Sequence, residues 1–207
     1  MIKAIKQHFN KKKLTDQNYQ YLFDKYEGDE LVCFDCETTG LNPKVDDIIS
    51  IGAVKIKGNK IDLQNKFERF VKPKNAAMIE DAIKIHHIRE MDLKDAEDIE
   101  DVIVDFLDFI GNRPLVGYYL SFDIAMVNKY IKPKIGITLP NEANEVSSIY
   151  YDKVEKFHNI DIDLKFNTIM RNLDLPLMTA HDAIHDAIMT SMIYIKLNNT
   201  KRLDIRR

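Results

Sequence analysis

Two acidic residues, Asp35 and Glu37, lie two positions apart at the end of the apolar run Leu31–Phe34. Alternate residues of a strand point to the same face, so both carboxylates project to one side. Two negative charges at the edge of an apolar core are costly unless a cation lies between them. The pair therefore predicts a metal site, and the following turn, Thr38–Gly40, can offer backbone N–H groups to a phosphate. The alternative is an ordinary strand end followed by a turn.

A third acid, Asp123, follows the short apolar segment Leu115–Tyr118, where the pattern changes from strand to helix. The start of a helix favours an acid because it carries partial positive charge, and Ser121 is of a type that caps helices. Asp123 therefore has two interpretations that the residues leave open. It either stabilises the helix or adds a further ligand for the same cation.

The fourth acid, Asp186, lies on a helical stripe with the apolar residues Met189 and Ile193. An acid on a stripe that is otherwise buried needs a partner. His181 precedes it by five residues, which is about 7.5 Å along a helix. A histidine at that offset can act on a metal-bound water instead of on the metal, as a general base does.

Four carboxylates and one histidine suit the hydrolysis of a phosphodiester by two divalent metal ions. Mg²⁺ and Mn²⁺ prefer oxygen ligands, and two such ions about 4 Å apart can stabilise the attacking and the leaving oxygen together. In this interpretation Asp35 bridges both ions, while Glu37, Asp123 and Asp186 complete the ligand set. His181 takes the proton from the attacking water, since an imidazole titrates near neutral pH.

The order of these motifs, D-x-E-T-T-G, then F-D before a helix, then H-x-A-x-x-D, resembles the DEDD-type 3′→5′ exonucleases. The histidine in the third motif is similar to the group that contains the proofreading epsilon subunit of bacterial DNA polymerase III. The resemblance covers the chain from Glu30 to Leu197 and implies a ribonuclease H-like fold. Where the epsilon-like pattern usually has His-Asn before F-D, this chain has Tyr118-Tyr119.

The resemblance implies the same metal ligands and the same base: Asp35, Glu37, Asp123, Asp186 and His181. It also implies that Thr38 and the segment Ile85–Ile88, which includes His86, border the terminal nucleotide. Thr39 belongs to the same turn as Thr38, and Phe122 can stack on a base. Both join the predicted substrate-binding residues, although an aromatic residue at a strand–helix junction can equally belong to the core.

The predicted activity is a metal-dependent 3′→5′ exonuclease that releases nucleoside 5′-monophosphates from single-stranded or frayed DNA, in proofreading or repair. Its predicted cofactors are two Mg²⁺ or Mn²⁺ ions, and its predicted partners are nucleic-acid 3′ ends and a polymerase, without a membrane. Two alternatives stay open. One is an exoribonuclease that trims RNA, because a two-metal site reads phosphate rather than sugar. The other is a non-catalytic module that binds nucleic acid or a polymerase, although such a module is expected to lack at least one site residue.

Two other patterns suggest zinc or redox chemistry. Cys33 and Cys36 form a C-x-x-C pattern, but residues three apart on a strand face opposite sides, which favours buried packing. His181 and His185 resemble the H-E-x-x-H zinc motif, with Asp182 in place of glutamate. No further zinc ligand is evident downstream, and a zinc site leaves the three earlier acids unexplained. The zinc alternative therefore ranks below the two-metal site.

A sheet and several helices must bring these residues together. Apolar patterns predict strands over 31–36, 48–56, 61–71 and 115–118. Helical periodicity predicts helices over 75–87, 98–110, 121–131 (stopped by Pro133), 142–157, 164–173 and 180–197. This order favours an α/β fold, a mixed five-stranded sheet flanked by helices. The predicted divisions are an N-terminal helical extension over 1–28, an exonuclease domain over 29–200 and a tail over 201–207.

The bulk properties restrict the function further. A chain of 207 residues has the length of one domain, or one domain with an appendage. The net charge of −3 gives no general attraction to nucleic acid, so binding must rest on local sites. No apolar stretch approaches the roughly 20 residues of a membrane span, and the N-terminus lacks the apolar core of a secretory signal. With only two cysteines, the composition predicts a cytoplasmic protein.

Overall fold

A computed structural model of the chain describes residues 2–74, 96–155, 162–179, 182–201 and 203. The strands are β1 (Glu30–Thr38), β2 (Ile48–Lys57), β3 (Lys60–Phe70), β4 (Leu115–Gly117) and β5 (Ala143–Glu145). The α-helices are α1 (Ile2–Lys11), α2 (Ile99–Ile110), α3 (Leu120–Ile135), α4 (Val146–Glu155), α5 (Phe166–Asn172) and α6 (Ala183–Asn199), and a 3₁₀ helix spans Gln17–Phe23. The helix predicted over 75–87 lies outside the described residues.

The five strands form one mixed sheet in the order β3-β2-β1-β4-β5. β2 pairs antiparallel with β1 and with β3, whereas β4 pairs parallel with β1 and with β5. The predicted α/β class, a mixed five-stranded sheet flanked by helices, is confirmed. Because β1 lies in the centre of the sheet, the residues at its carboxyl end are within reach of helices from either face.

Different helices cover the two faces of the sheet. One core packs α2, α3 and the 3₁₀ helix against residues such as Phe34, and the other packs α4, α5 and α6 against residues such as Val54. Cys36 belongs to the first core and Cys33 to the second. Both are buried free thiols, which confirms the packing interpretation of the C-x-x-C pattern. Of the helices that the structure describes, none has the length and apolar character to cross a membrane.

Two predicted helices were wrong in their bounds. The helix over 121–131 was expected to stop at Pro133, but α3 runs through this proline to Ile135. A proline so close to the end removes only one backbone donor, and the helix stops instead at Gly136, which has a φ of 81°. The helix over 142–157 was placed too early, because its first residues form β5 and pair with β4.

The predicted N-terminal extension packs directly on the α2 and α3 side of the molecule. Leu22 is only 3% exposed and belongs to that core. The N–H of Thr15 donates to the carbonyl of Ile135 (3.0 Å), and Asn10 Nδ2 donates to the carbonyl of Thr138 (2.7 Å). The segment is thus part of the described fold, while the division of the chain at residue 28 stays a prediction.

Candidate active site

The carboxyl end of β1 positions the first two acids. Asp35 pairs in register with Gly52 of β2, and a register shift follows between Glu37 and Thr38. Glu37 is 5% exposed, and Asp35 is partly buried. The strand therefore carries two carboxylates on one face at the point where its regular pairing ends, as the alternation of the sequence predicted.

The third acid reaches β1 from the first turn of α3. Asp123 is 3% exposed, and its Oδ1 accepts a hydrogen bond from the N–H of Cys36 (3.2 Å). Cys36 is the residue between the two acids of β1, so the carboxylate of Asp123 lies against that segment of the strand. Its side chain is directed into the molecule and not towards solvent at the helix end.

Another residue, which the sequence did not single out, caps α3. Glu145 at the end of β5 accepts hydrogen bonds from the N–H groups of Tyr119 (3.2 Å) and Leu120 (2.8 Å), and also from Ser147. Tyr119 adopts a left-handed conformation with a φ of 55° where the helix begins. No sequence signal pointed to Glu145, because the segment that contains it was predicted to be helical.

The fourth acid lies in the first turn of α6. Asp182 caps this helix by accepting the N–H of Ile184 (3.2 Å). The helix begins directly over β2, where a Cβ on Gly52 would lie 2.2 Å from the backbone nitrogen of Ile184. Because Gly52 pairs with Asp35, the close approach at this glycine brings Asp186 to the acidic end of β1.

These elements bring together carboxylates from distant parts of the sequence. Carboxylate oxygens of Asp35, Glu37 and Asp186 lie within 4.8 Å of one another. Asp123 is not in this tight group, but it contacts the strand between the first two acids. We refer to Asp35, Glu37, Asp123 and Asp186 as the acid cluster.

The acid cluster has an unusual electrostatic environment. Burial raises the pKa of Asp35 well above its ordinary value, and the carboxylates of Asp123, Glu37 and Asp186 raise it further. Burial also raises the pKa of Asp123, although the hydrogen bond from Cys36 acts in the opposite direction. A nearby divalent cation stabilises the ionised form of carboxyl groups that are crowded and buried in this way. Carboxylate oxygens are also the ligands that Mg²⁺ and Mn²⁺ prefer, so the residues fit the predicted metals.

Thr38 and Thr39 use their hydroxyl groups in hydrogen bonds within the connection between β1 and β2. Thr38 Oγ1 donates to the carbonyl of Gly40 (2.7 Å), and Thr39 Oγ1 accepts the N–H of Asp47 (2.9 Å). Phe122, the predicted stacking residue, is partly buried against the α2 and α3 core. The predicted substrate contacts of Thr38, Thr39 and Phe122 stay predictions.

Two of the predicted site residues, His181 and His86, lie outside the described residues. His185, the second histidine of the zinc-like motif, has its Nδ1 3.2 Å from Asp182 Oδ2, although the orientation is not that of a hydrogen bond. The one group of potential metal ligands found among residues 2–74, 96–155, 162–179, 182–201 and 203 consists of three acids and does not include His185.

A pocket of about 360 Å³ opens beside the acid cluster, and we call it the α5 pocket. Two of the acids line one part of it, and α5 with its preceding residue lines another. The lining residues are Asp35, Tyr118, Lys165, Phe166, Asn167, Thr168, Arg171, Asp186 and Thr190. Motif spacing in the sequence predicts the two acids of this pocket. The residues of α5 form no motif, so no sequence signal pointed to them.

Known proteins are similar to this chain in sequence. The profile of the RNase_T family, whose description is Exonuclease, matches residues 32–194. The DNA polymerase III PolC-type of Caldanaerobacter subterraneus subsp. tengcongensis is 36% identical over 171 residues, which are 81% of this chain and 11% of the polymerase. That of Bacillus subtilis is 33% identical over 174 residues, 83% of this chain and 12% of the polymerase. This chain therefore spans only about a tenth of the length of these relatives.

Solved nuclease structures share the fold. Cell-death related nuclease 4 has a TM-score of 0.71 at 19% identity, covering 83% of this chain and 64% of that chain. E. coli exonuclease I in complex with a dT13 oligonucleotide has a TM-score of 0.66 at 12% identity, covering 83% and 41%. Exonuclease X in complex with 5′ overhanging duplex DNA has a TM-score of 0.63 at 23% identity, covering 82% and 91%. At these identities the likeness establishes the fold, which is the predicted ribonuclease H-like one.

Proposed function

Because the chain belongs to the RNase_T exonuclease family, we propose that it hydrolyses the terminal phosphodiester at the 3′ end of single-stranded or frayed DNA. The products are nucleoside 5′-monophosphates and a shortened strand. The observation that carries the proposal is the convergence of Asp35, Glu37 and Asp186 within 4.8 Å. Carboxylates that are buried or partly buried in such a group oppose folding, so their convergence supports a role as ligands.

The acid cluster is the proposed binding site for two Mg²⁺ or Mn²⁺ ions. Asp35 and Glu37 would hold them from β1, Asp123 from α3 and Asp186 from α6. When bound, the ions supply positive charge that stabilises the attacking and the leaving oxygen of the phosphodiester. The protein's own contribution is to hold four oxygen ligands on elements that pack against one central strand.

His181 is the proposed general base, on the strength of the H-x-A-x-x-D motif. Its neutral imidazole accepts a proton from the attacking water, whose oxygen forms the new bond to phosphorus. The bond from phosphorus to the 3′ oxygen of the penultimate nucleotide breaks, and that oxygen leaves with the shortened strand. The proposed substrate contacts are Thr38, Thr39, His86 and Phe122, around the terminal nucleotide.

The proposed biological setting is proofreading or repair beside a DNA polymerase in the cytoplasm. It is supported by the PolC-type polymerases, in which the matching segment is about a tenth of the chain. The DNA substrate is supported by two structural neighbours that hold DNA, exonuclease I with an oligonucleotide and exonuclease X with a duplex.

The test is digestion of 5′-labelled single-stranded DNA and of RNA of the same sequence, with Mg²⁺, with Mn²⁺ and with EDTA. We expect a ladder that shortens from the 3′ end of DNA in either metal and no cleavage in EDTA. Asp186→Asn removes a ligand charge and should abolish cleavage, whereas His181→Ala should lower the rate by about 10²–10⁴-fold.

Asp152→Asn is the matched control for the acid, because Asp152 is exposed on α4. His8→Ala on α1 is the control for the histidine. Neither control should change the rate. Faster cleavage of RNA than of DNA would favour the exoribonuclease. Binding without cleavage in any divalent metal would favour the non-catalytic module, and wild-type rates in Asp186→Asn would refute the site.

A further inference from the structure

The α5 pocket carries positive charge next to the acid cluster. Lys165, which precedes α5, and Arg171, in its last turn, line the same pocket as Asp35 and Asp186. Both basic residues are exposed. The chain as a whole has a net charge of −3. The positive charge of Lys165 and Arg171 is therefore a local feature of this pocket and does not belong to a general basic surface.

The two cations are available to bind an anion. Among the described residues, the hydrogen bonds that Arg171 donates go to the carbonyl of Asn167 (3.3 Å) and the hydroxyl of Thr168 (3.4 Å) on its own helix. The ion pairs found among the described residues include neither Lys165 nor Arg171. Besides the two acids of the pocket, Asp163 interacts electrostatically with both cations. Hydrogen bonds from Lys165 and Thr168, together with the charges of Lys165 and Arg171, hold the pKa of Asp163 below its ordinary value.

The pocket wall around Lys165 and Arg171 is held by contacts between Tyr118 and the start of α5. Tyr118 donates its hydroxyl to the carbonyl of Leu164 (2.9 Å), and its ring packs edge-on against Phe166 with the centroids 5.1 Å apart. These contacts join the end of β4 to the start of α5. Packing therefore sets the position of α5 relative to the end of β4, and the side chains of Lys165 and Arg171 extend from this packed wall.

A 3′-exonuclease binds different parts of its substrate on the two sides of the bond that it cleaves. On the 3′ side it holds one nucleotide, and on the 5′ side it meets a strand that continues with a phosphate at every step. The acids repel that strand unless cations offset them. Thr38, Thr39 and Phe122, the described residues proposed to border the terminal nucleotide, do not line the α5 pocket, so the pocket is free for the 5′ side.

We propose that Lys165 and Arg171 bind phosphates of the substrate strand on the 5′ side of the scissile bond. The inference rests on the proposed function, since it takes the acid cluster as the place of cleavage. The guanidinium of Arg171 can give two parallel hydrogen bonds to one phosphate, and the ammonium of Lys165 can neutralise another. These contacts hold the strand without reading its sequence.

A dinucleotide provides a sharp test, because its only phosphate is the scissile one. Lys165→Glu and Arg171→Glu should raise the KM for a 20-nucleotide strand about tenfold each, with little change in kcat. Cleavage of the dinucleotide should be unchanged. The affinity for the labelled strand in EDTA should also fall about tenfold in each variant. The slope of the logarithm of the binding constant against the logarithm of the salt concentration should decrease in magnitude by about 0.7 for each lost contact.

Lys60→Glu is the matched control, since Lys60 is exposed at the turn between β2 and β3. Arg171→Lys keeps the charge but loses the paired hydrogen bonds, so its KM for the long strand should lie between those of the wild type and Arg171→Glu. The inference is overturned if both Glu variants keep the wild-type KM for the 20-nucleotide strand. It is also overturned if they lose as much activity on the dinucleotide as on the long strand. If the wild-type protein cleaves no strand, the proposed function fails. The placement of these contacts on the 5′ side of a scissile bond then fails with it, even where both Glu variants bind the strand more weakly. If the wild type cleaves but both Glu variants keep the wild-type KM and strand binding, only this inference fails.

Discussion

Asp47 shows how single side chains join the elements that carry the acid cluster. Its Oδ1 accepts hydrogen bonds from Lys129 Nζ (2.8 Å) and the hydroxyl of Tyr130 (2.9 Å), both on α3, and its Oδ2 accepts the N–H of Lys74 (3.0 Å). Its backbone pairs with Thr39 in the turn after β1. One carboxylate thus ties the helix of Asp123 to the turn that follows Glu37.

This network predicts a pH-dependent contribution to stability. Burial of Asp47 opposes its charge, but the hydrogen bonds from Lys129 and Tyr130 and the charge of Lys129 outweigh it, so the pKa is lowered. A carboxyl group whose pKa is lowered on folding stabilises the folded state at pH values above its pKa in the unfolded chain, which is near 4. This stabilisation is lost as the pH falls through the pKa of the folded state. Asp47→Asn should therefore lower the free energy of unfolding at pH 7 by about 2–3 kcal/mol.

Urea unfolding of both proteins between pH 7 and pH 3 measures the effect. The difference between wild type and Asp47→Asn should be largest at neutral pH and should narrow as the pH falls below about 4. Asp152→Asn on the exposed face of α4 serves as the control and should show no such difference. A gap that is constant across the pH range would mean that the charge of Asp47 does not stabilise the fold.

At the scale of elements, the approach of α6 to β2 decides whether the fourth acid reaches the others. Gly52 leaves no room for a side chain, because a Cβ there would lie 2.2 Å from the nitrogen of Ile184 and 2.3 Å from the carbonyl carbon of Ala183. Backbone atoms cannot move aside as a flexible side chain does. An added methyl group must therefore displace the start of α6, which carries Asp186, from the strand that carries Asp35.

Gly52→Ala should accordingly reduce metal-dependent cleavage by at least about tenfold and lower the free energy of unfolding by about 1–3 kcal/mol. Gly58→Ala is the matched control. Gly58 has a φ of 57° with nothing within 4 Å of an added Cβ, so this change costs about 1–2 kcal/mol of backbone strain without touching the site. Equal activity of the two variants, measured at equal folded concentration, would contradict the role given to Gly52.

The elements also show what sequence patterns can and cannot predict. β1 and the helices of Asp123 and Asp186 were predictable because alternation, periodicity and motif spacing are local. β5 was missed because three residues carry no pattern, and they form a strand only by pairing with β4. Its Glu145, which caps α3, was missed with it. The need for glycine at position 52 depends on a helix more than 130 residues away, and no local signal reports such a contact.

At the scale of the whole molecule, the N-terminal segment and the acid cluster lie at opposite ends of β1. The carbonyl of Asp24 accepts a hydrogen bond from Asn112 (3.1 Å), and Arg113 pairs with Glu30 at the first residue of the strand (3.0 Å). The acids stand at the last residues of the same strand. The N-terminal segment can therefore stabilise the fold without contacting the acid cluster.

Leu22→Ala tests this separation. Leu22 is 3% exposed in the core of α2 and α3, and loss of a buried leucine with its cavity costs about 2–5 kcal/mol. We expect denaturant unfolding to show that loss, while the rate of cleavage per folded molecule stays at the wild-type value. Phe9→Ala is the control, because Phe9 is 59% exposed and its removal should change stability little. An unchanged stability of Leu22→Ala would mean that the packing of the N-terminal segment contributes little to the fold. A lower rate per folded molecule would show that the packing of this segment affects the acids at the other end of β1.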